Sequence, residues 1–370
     1  MPTGAWCGHL RQPIESCADP ALFRIHGPST PSCGHHRHGV ISRQILGRTV
    51  LPTPRLKDHA GDTLIRMSLP VACIVDLGSN AIRFLAACPD PHGHVKVLHR
   101  ERNPIRIGES VFSSGMVGDE TRRIIEAIQH FQKLVTNLTE ELTEPTPHWL
   151  AVATSALREA NDRDEVIQSV QRTTQIKINI LTGEQEAQLA LRSVAAVQPL
   201  AGPFLVADLG GGSLELILGH DGQILQCSSF QLGAVRWQQA LDSDSAEALD
   251  HIRHEQDRLR KFIGKHKALT CIGLGGAFRT MRHITGQNSF NETTLKKWRA
   301  DLAPLTPTER SHKHGLPDDR ADIILPAIDA LCLTLDVAQG TSWTVLDEVG
   351  GIADALARQL LHDQTNQMDG

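Results

Sequence analysis

The sequence predicts an α/β protein built from two related domains that face one phosphate site. Three stretches lead to that class: Leu205–Leu218 (LVADLGGGSLELIL), Val71–Leu85 (VACIVDLGSNAIRFL) and Cys271–Thr280 (CIGLGGAFRT). Each runs from an apolar strand into glycine. In the first, Gly210, Gly211 and Gly212 lack a Cβ, so backbone N–H groups can turn toward one point and approach an anion closely. Asp208 ends the strand, and Glu215 lies on the strand that returns. Backbone donors with two carboxylates nearby suit a phosphate whose charge is shared with a divalent cation. Gly-Gly-Gly alone fits a plain tight hairpin equally well. The second stretch repeats the grammar with Asp76, Leu77, Gly78 and Ser79, and the third ends on Gly273, Gly275 and Gly276. Recurrence in both halves of the chain favours paired domains over an isolated hairpin.

Bulk properties narrow the function classes. A length of 370 residues suits two or three domains, and 40% hydrophobic residues suffice for a core. The net charge of −5 does not suggest a nucleic-acid partner, so a polyanion must be drawn by a local basic cluster. No apolar run reaches the ~18–20 residues that a membrane helix needs, and no apolar signal segment opens the chain. Of the eight cysteines, Cys73, Cys271 and Cys332 fall in predicted core elements and no CxxC pair occurs. Reduced thiols in a cytoplasmic protein are the expectation.

Residues 1–66 are rich in Pro, Gly, His and Cys and lack periodicity, which predicts disorder. They also read as an extension beyond a natural start at Met67. Cys33, His35, His36 and His38 match no ordinary zinc spacing. Domain I is expected over 67–197. Val71–Val97 reads as strand, turn, strand, turn, strand; Arg83, four residues past Ser79, is a surface charge or an inward phosphate contact. Arg100–Gly118 reads as loop and turn. Asp119–Leu138 is a helix with Ile124, Ile128, Phe131 and Val135 on one stripe. A strand follows over Trp149–Thr154. Thr154, Ser155 and Arg158 after it offer hydroxyls and a guanidinium to an anion, or merely cap a helix. Asn161–Thr174 is helical, and Ile176, Ile178 and Ile180 mark a half-buried strand. Gly183 turns into a helix over Glu184–Val197. Glu184 and Glu186 stand in its first turn, where the helix dipole alone favours acids.

Gln198–Pro203 is the expected crossing to domain II, over 198–347. Beyond the organising stretch, Gln223–Leu232 is a strand and Ala246–His266 a charged, solvated helix. The loop at Gly275 and Gly276 opens a helix whose amides can hold an anion. His312, His314 and Asp318–Asp322 read as a loop before a long helix. Trp343–Asp347 is a last strand, and residues 348–370 form a closing helix and tail.

The order of DLGSNAIRF, ATSALREAND, LTGEQEA, DLGGGSLEL, LGAVRW and GLGGAFRT resembles the Ppx/GppA phosphatases over about Val71–Leu361. This is the exopolyphosphatase and guanosine pentaphosphate phosphohydrolase family of the stringent response. The resemblance implies two ribonuclease H-like domains of the actin, Hsp70 and sugar-kinase superfold, with an interdomain cleft. A chain ending at Gly370 resembles the short, two-domain form. Members commonly form homodimers. In the family's GxEEA-like motif the second acidic position is the base that activates water; it falls on Glu186, with Gln185 where Glu is frequent. The resemblance makes Arg158 a phosphate ligand. Arg106 and Arg236 are expected to line or close the cleft, and Arg320 and Asp322 to fix a helix start. Ala277 replaces a family Thr, and Ile352 and Ala353 replace an Arg-Glu pair, so no contact is carried over at those positions.

Phosphoanhydride hydrolysis needs charge neutralisation, a positioned water and a base. Glu186 is the expected base. Asp208 and Glu215 are the expected magnesium ligands, with Asp76 contributing. The phosphate is expected among Gly78, Ser79, Asn80, Gly210, Gly211, Gly212, Ser213, Gly275 and Gly276, with Arg83 and Arg158 on the developing charge. The expected substrate is inorganic polyphosphate, with guanosine pentaphosphate second. A non-catalytic sensor of nucleotide or polyphosphate is the alternative of another class, disfavoured by the intact Glu186, Asp208 and Glu215. An ATP-dependent kinase is disfavoured because ATSALREAND and LTGEQEA depart from the kinase pattern.

Overall fold

The computed structural model describes residues 69–140, 142, 145–267, 269–346 and 350–368. The expectations for residues 1–66 and for a start at Met67 lie outside them. The first sheet contains β1 (Leu69–Leu77), β2 (Ile82–Pro89), β3 (Val95–Asn103), β4 (Pro145–Ala153) and β5 (Ile178–Ile180), in the order β3-β2-β1-β4-β5. The second contains β6 (Pro203–Leu209), β7 (Leu214–His220), β8 (Gln223–Phe230), β9 (Thr270–Leu274), β10 (Ser289–Phe290) and β11 (Trp343–Thr344), in the order β10-β11-β9-β6-β7-β8. β1 and β6 are buried on both faces, which is why they read as continuous apolar runs.

The two halves repeat one plan, the expected ribonuclease H-like one. An antiparallel meander (β1, β2, β3 or β6, β7, β8) is extended by parallel strands (β4, β5 or β9, β11). The match extends to register. Asp76 pairs with Arg83 across the first hairpin and Asp208 with Glu215 across the second. Each meander is offset at the same place, between Ala86 and Ala87 and between Leu218 and Gly219. Arg83 therefore holds in domain I the position that Glu215 holds in domain II.

Helices cover these sheets. In the first half they are α1 (Ile107–Ser114), α2 (Glu120–Thr139), α3 (Ser155–Glu159), α4 (Arg163–Thr174) and α5 (Gly183–Ala195). The second half contains α6 (Ala234–Asp242), α7 (Ala246–Ile263), α8 (Gly276–Thr285), α9 (Glu292–Leu302), α10 (Pro307–His314), α11 (Asp318–Ala321) and α12 (Ile324–Ala338), before α13 (Ile352–Met368). Among the described residues no helix is long and apolar enough to cross a membrane.

Several elements depart from expectation. Arg100–Gly118 is not all loop: β3 runs to Asn103 and α1 follows. His312 and His314 lie in a helix, α10, rather than a loop. The face of α7 that carries Ile252, Glu255 and Leu259 is buried, so α7 is not a fully solvated helix. α5, assigned by sequence to the first half, packs Ala187, Ala190, Leu191 and Val194 against Phe204, Val206, Ile217 and Ile272 of the second sheet. α13 crosses the other way and packs Leu356, Leu360 and Leu361 against Ala72, Ile74 and Leu85 of the first.

Candidate active site

The two Asp-Leu-Gly hairpins meet in a cleft of about 560 Å³ between the halves. Both turns close in the same way. The Gly78 N–H donates to Ala81 O at 3.1 Å, and the Gly210 N–H to Ser213 O at 3.0 Å. The amides of Gly78 and Gly210, both expected at phosphate, are thereby used within their own turns. The amides of Ser79, Gly211, Gly212 and Ser213 have no partner among the described residues. The turns also approach one another too closely for side chains. A Cβ on Gly212 would collide with Ser155 Oγ, and one on Gly233 with the backbone of Gly211–Ser213. Gly275 (φ +92°) passes so close to Asp208 Oδ1 that a Cβ would collide with that oxygen.

Glu186 projects from the first turn of α5 into this cleft with 4% of its surface exposed. Thr182 caps the helix, and Gln185 completes a reciprocal capping box, with its Oε1 accepting from the Thr182 N–H at 2.8 Å. Gln185 thus has a structural role that the base does not need. Arg158 Nη1 donates to Glu186 Oε1 and to Leu181 O, both at 2.6 Å. Burial pushes the Glu186 carboxyl well above the usual range and repulsion from Glu215 adds to it, while Arg158 opposes both. Arg158 is not part of the cleft lining. Expected on phosphate, Arg158 is here engaged by Glu186.

Opposite stand Asp208 and Glu215. Glu215 Oε1 accepts from Ser229 Oγ at 2.8 Å. Burial and then Asp208 push the Glu215 carboxyl up to about 7, against the hydroxyls of Ser213 and Ser229. Asp208 is raised by burial, with Arg279 and Arg83 holding it down. The three carboxylates expected at a metal do not close into a cage; among the described residues no three acidic, His or Cys side chains converge in that way. Asp76 Oδ2 accepts from Arg83 Nη1 at 2.8 Å, while its buried Oδ1 has no partner. Arg83, expected on phosphate, lines the cleft already paired with that acid.

Asn80 also differs from expectation. Its Nδ2 donates to Asp319 O (2.9 Å) and Asp319 Oδ2 (3.0 Å) across the cleft, and Arg102 pairs with the same carboxylate. Arg106 Nη1 meets Asp322 Oδ2 at 2.5 Å, and Arg236 forks onto Glu159 at 2.7 and 2.8 Å while lying 3.8 Å over the Phe112 ring. Asp322 therefore ties the halves together, and Arg106 and Arg236 close the cleft.

The chain that forms this cleft is similar to known proteins in sequence and in fold. The profile of the Ppx/GppA phosphatase family matches residues 89–347. The chain belongs to the Ppx/GppA phosphatase family. A Haemophilus influenzae protein provisionally named an exopolyphosphatase is 25% identical over 276 residues, 71% of this chain and 83% of the relative. Among solved structures, an exopolyphosphatase of Cytophaga hutchinsonii aligns with a TM-score of 0.68 at 21% identity, covering 79% of this chain and 98% of its own. The Aquifex aeolicus Ppx/GppA family member aligns at 0.62 and 22% identity, covering 80% and 99%. At these identities the structures establish the fold.

Membership makes this phosphatase a hydrolase of phosphoanhydride bonds. Its cleft also contains residues that sequence reading passed over. Arg100, forked onto Asp354 at 2.9 and 2.6 Å, lines it, as do Arg102 and Arg279. A sequence signal for Arg279 existed: it follows Gly276 by the spacing that separates Arg158 from Ser155, each pair opening a helix.

Proposed function

We propose that this phosphatase removes the terminal phosphate from inorganic polyphosphate with the help of a magnesium-like ion. The observation that supports the reading best is the Arg158–Glu186 pair, a buried base on the cleft wall facing the free amides of Ser79, Gly211, Gly212 and Ser213. The residues present fit a cation: Asp208 and Glu215 are both raised, and Asp76 Oδ1 is buried without a partner. Arg83, Arg279 and Arg158 offset that buried negative charge only in part. Magnesium takes only one or two carboxylates and fills its shell with water and phosphate oxygen, so Asp208 and Glu215 suffice, with Asp76 behind them. Bound there, it would neutralise charge on the transferred phosphoryl group.

The rest of the chemistry belongs to the chain. The four amides hold the terminal phosphoryl group by donors that no other group occupies. Glu186 takes a proton from a water aimed at phosphorus, and Arg158 keeps enough of the carboxyl ionised to do so. The leaving group is a phosphate, so no strong general acid is needed.

The test is phosphate release from long-chain polyphosphate, short-chain polyphosphate and guanosine pentaphosphate, with magnesium or with EDTA. Release should need the metal and fall by about 10²–10⁴-fold in Glu186→Gln. A ranking led by guanosine pentaphosphate would transfer the assignment to that substrate. Metal-independent release, or full activity in the variant, would overturn the mechanism. No release with nucleotide binding retained would make the protein a sensor.

A further inference from the structure

The cleft contains one cation whose role the chemistry above leaves open. Arg100 is forked onto Asp354, Arg102 is paired with Asp319, and Arg83 with Asp76. Arg279 lines the same cleft, is exposed within it, and has no hydrogen bond or ion pair among the described residues. In a chain of net charge −5, an arginine on the wall of an anion cleft that feels Asp208 and Asp354 but is hydrogen-bonded to neither has its donors open to an anion.

The fold's internal repeat sharpens its place. Arg158 is the fourth residue of α3 and Arg279 the fourth residue of α8. Each helix follows the parallel strand beside its domain's Asp-bearing strand. Domain I uses its arginine to hold the base. The matching arginine of the second half has no hydrogen bond or ion pair among the described residues. The charges around each differ: Glu186 senses Glu215, Arg158 and Asp208, whereas Arg279 senses Arg83, Asp208, Asp354 and Arg100. Asp208 is common to both sets, and all three side chains line the same cleft. In-line displacement puts the leaving oxygen opposite the attacking water. The first-half arginine of the repeat is taken up by Glu186, the proposed base, so its second-half counterpart is the one left to meet the leaving phosphate.

We propose that Arg279 is a specificity-determining residue that binds the phosphate next to the scissile anhydride, so that the cleft selects condensed phosphates over orthophosphate and monoesters. This rests on the hydrolase reading above. The required chemistry is a second phosphate in anhydride linkage, which polyphosphate and a nucleoside 5′-triphosphate group share. As the P–O bond breaks, negative charge gathers on that leaving phosphate, so the guanidinium binds it more strongly in the transition state and contributes to kcat as well as to binding.

The experiment compares wild type, Arg279→Ala and Arg279→Lys by calorimetry with methylenediphosphonate, which cannot be hydrolysed, and with orthophosphate. It adds steady-state release from tripolyphosphate and guanosine pentaphosphate. A charge-assisted contact predicts a loss of about 10- to 100-fold in diphosphonate affinity for the alanine variant. Orthophosphate affinity should be unchanged, the lysine variant should fall between, and kcat should drop on both substrates. Thermal stability should not fall, because the side chain has no hydrogen bond to lose and burial outweighs the pull of Asp208 and Asp354 on its charge. Equal losses for both ligands, or none, would overturn the proposal, as would a loss confined to guanosine pentaphosphate, which would assign the arginine to the nucleoside. If wild type releases no phosphate yet diphosphonate binding depends on Arg279, the hydrolase reading fails and the subsite stands. If wild type is active and both variants match it, the subsite alone fails.

Discussion

Arg158 is the main positive charge on Glu186, so with Glu186 as the proposed base it tunes the pH at which that base works. Burial and Glu215 raise that carboxyl, and Arg158 lowers it. Removing the arginine removes the main opposing effect. In Arg158→Ala the acid limb of the kcat/KM profile should move to higher pH by about 1–3 units; an unmoved limb would show that the arginine does not tune the base. A second expectation concerns stability without metal. The Glu215 carboxyl keeps its proton up to about 7 when folded, against 4.5 ordinarily. Between those values the folded state holds more protons than the unfolded one, so stability falls as pH rises through the window and stays low above it. The deficit is on the order of 3 kcal/mol. In EDTA, Glu215→Gln should therefore melt higher than wild type at pH 8, and the gain should vanish near pH 4, by thermal unfolding at both pH values. At this scale Glu186, Asp208 and Glu215 were legible because motif and turn position fix them. The partners of Arg83, Arg158 and Asn80 were not, because one dimension does not reveal whether a donor already has its acceptor.

The glycine hairpins show what one element demands of its neighbours. Gly233 lies against the backbone of Gly211–Ser213 and leaves no room for a Cβ. Backbone cannot swing aside as a side-chain tip can, so the loop itself must move. Gly93 is a control: it has φ +81° but open space around it. Gly93→Ala should lower stability by about 1 kcal/mol from backbone strain and leave phosphate release intact. Gly233→Ala should lose most release, since the amides it displaces face the substrate. Comparable activities in the two variants would show that the cradle tolerates displacement. The hairpins were readable because glycine, aspartate and alternation coincide in a few residues. α1 was not: Asn103, Pro104, Gly108 and the Ser113–Ser114 pair mimic a loop, and tertiary contacts such as the Gly108 N–H donating to Ser79 O at 2.8 Å hold the helix. α10 did carry a signal, with Thr306 and Glu309 forming a capping box and Pro307 in the first turn.

At the scale of the whole molecule, the exchange of helices joins the two halves energetically. The fold class was visible in the repeated hairpins, but the exchange was not, since an apolar helical stripe does not name the sheet it covers. α5 precedes the second sheet in sequence and covers it through Leu191, while α13 ends the fold and covers the first sheet through Leu356; each side chain is 1% exposed. Ion pairs from Arg102, Arg106 and Arg236 cross between the halves as well, although part-exposed pairs of that kind contribute only about 0–1 kcal/mol each. The buried apolar helices therefore dominate the coupling. Neither sheet can lose its cover without the chain of the other half letting go, so the protein should unfold in one transition. Leu191→Ala and Leu356→Ala should each cost about 2–5 kcal/mol. Although they lie on opposite sheets, both should shift that same calorimetric peak. Two resolved peaks, one lowered by each substitution, would show instead that the halves melt independently and that the exchanged helices are passive covers.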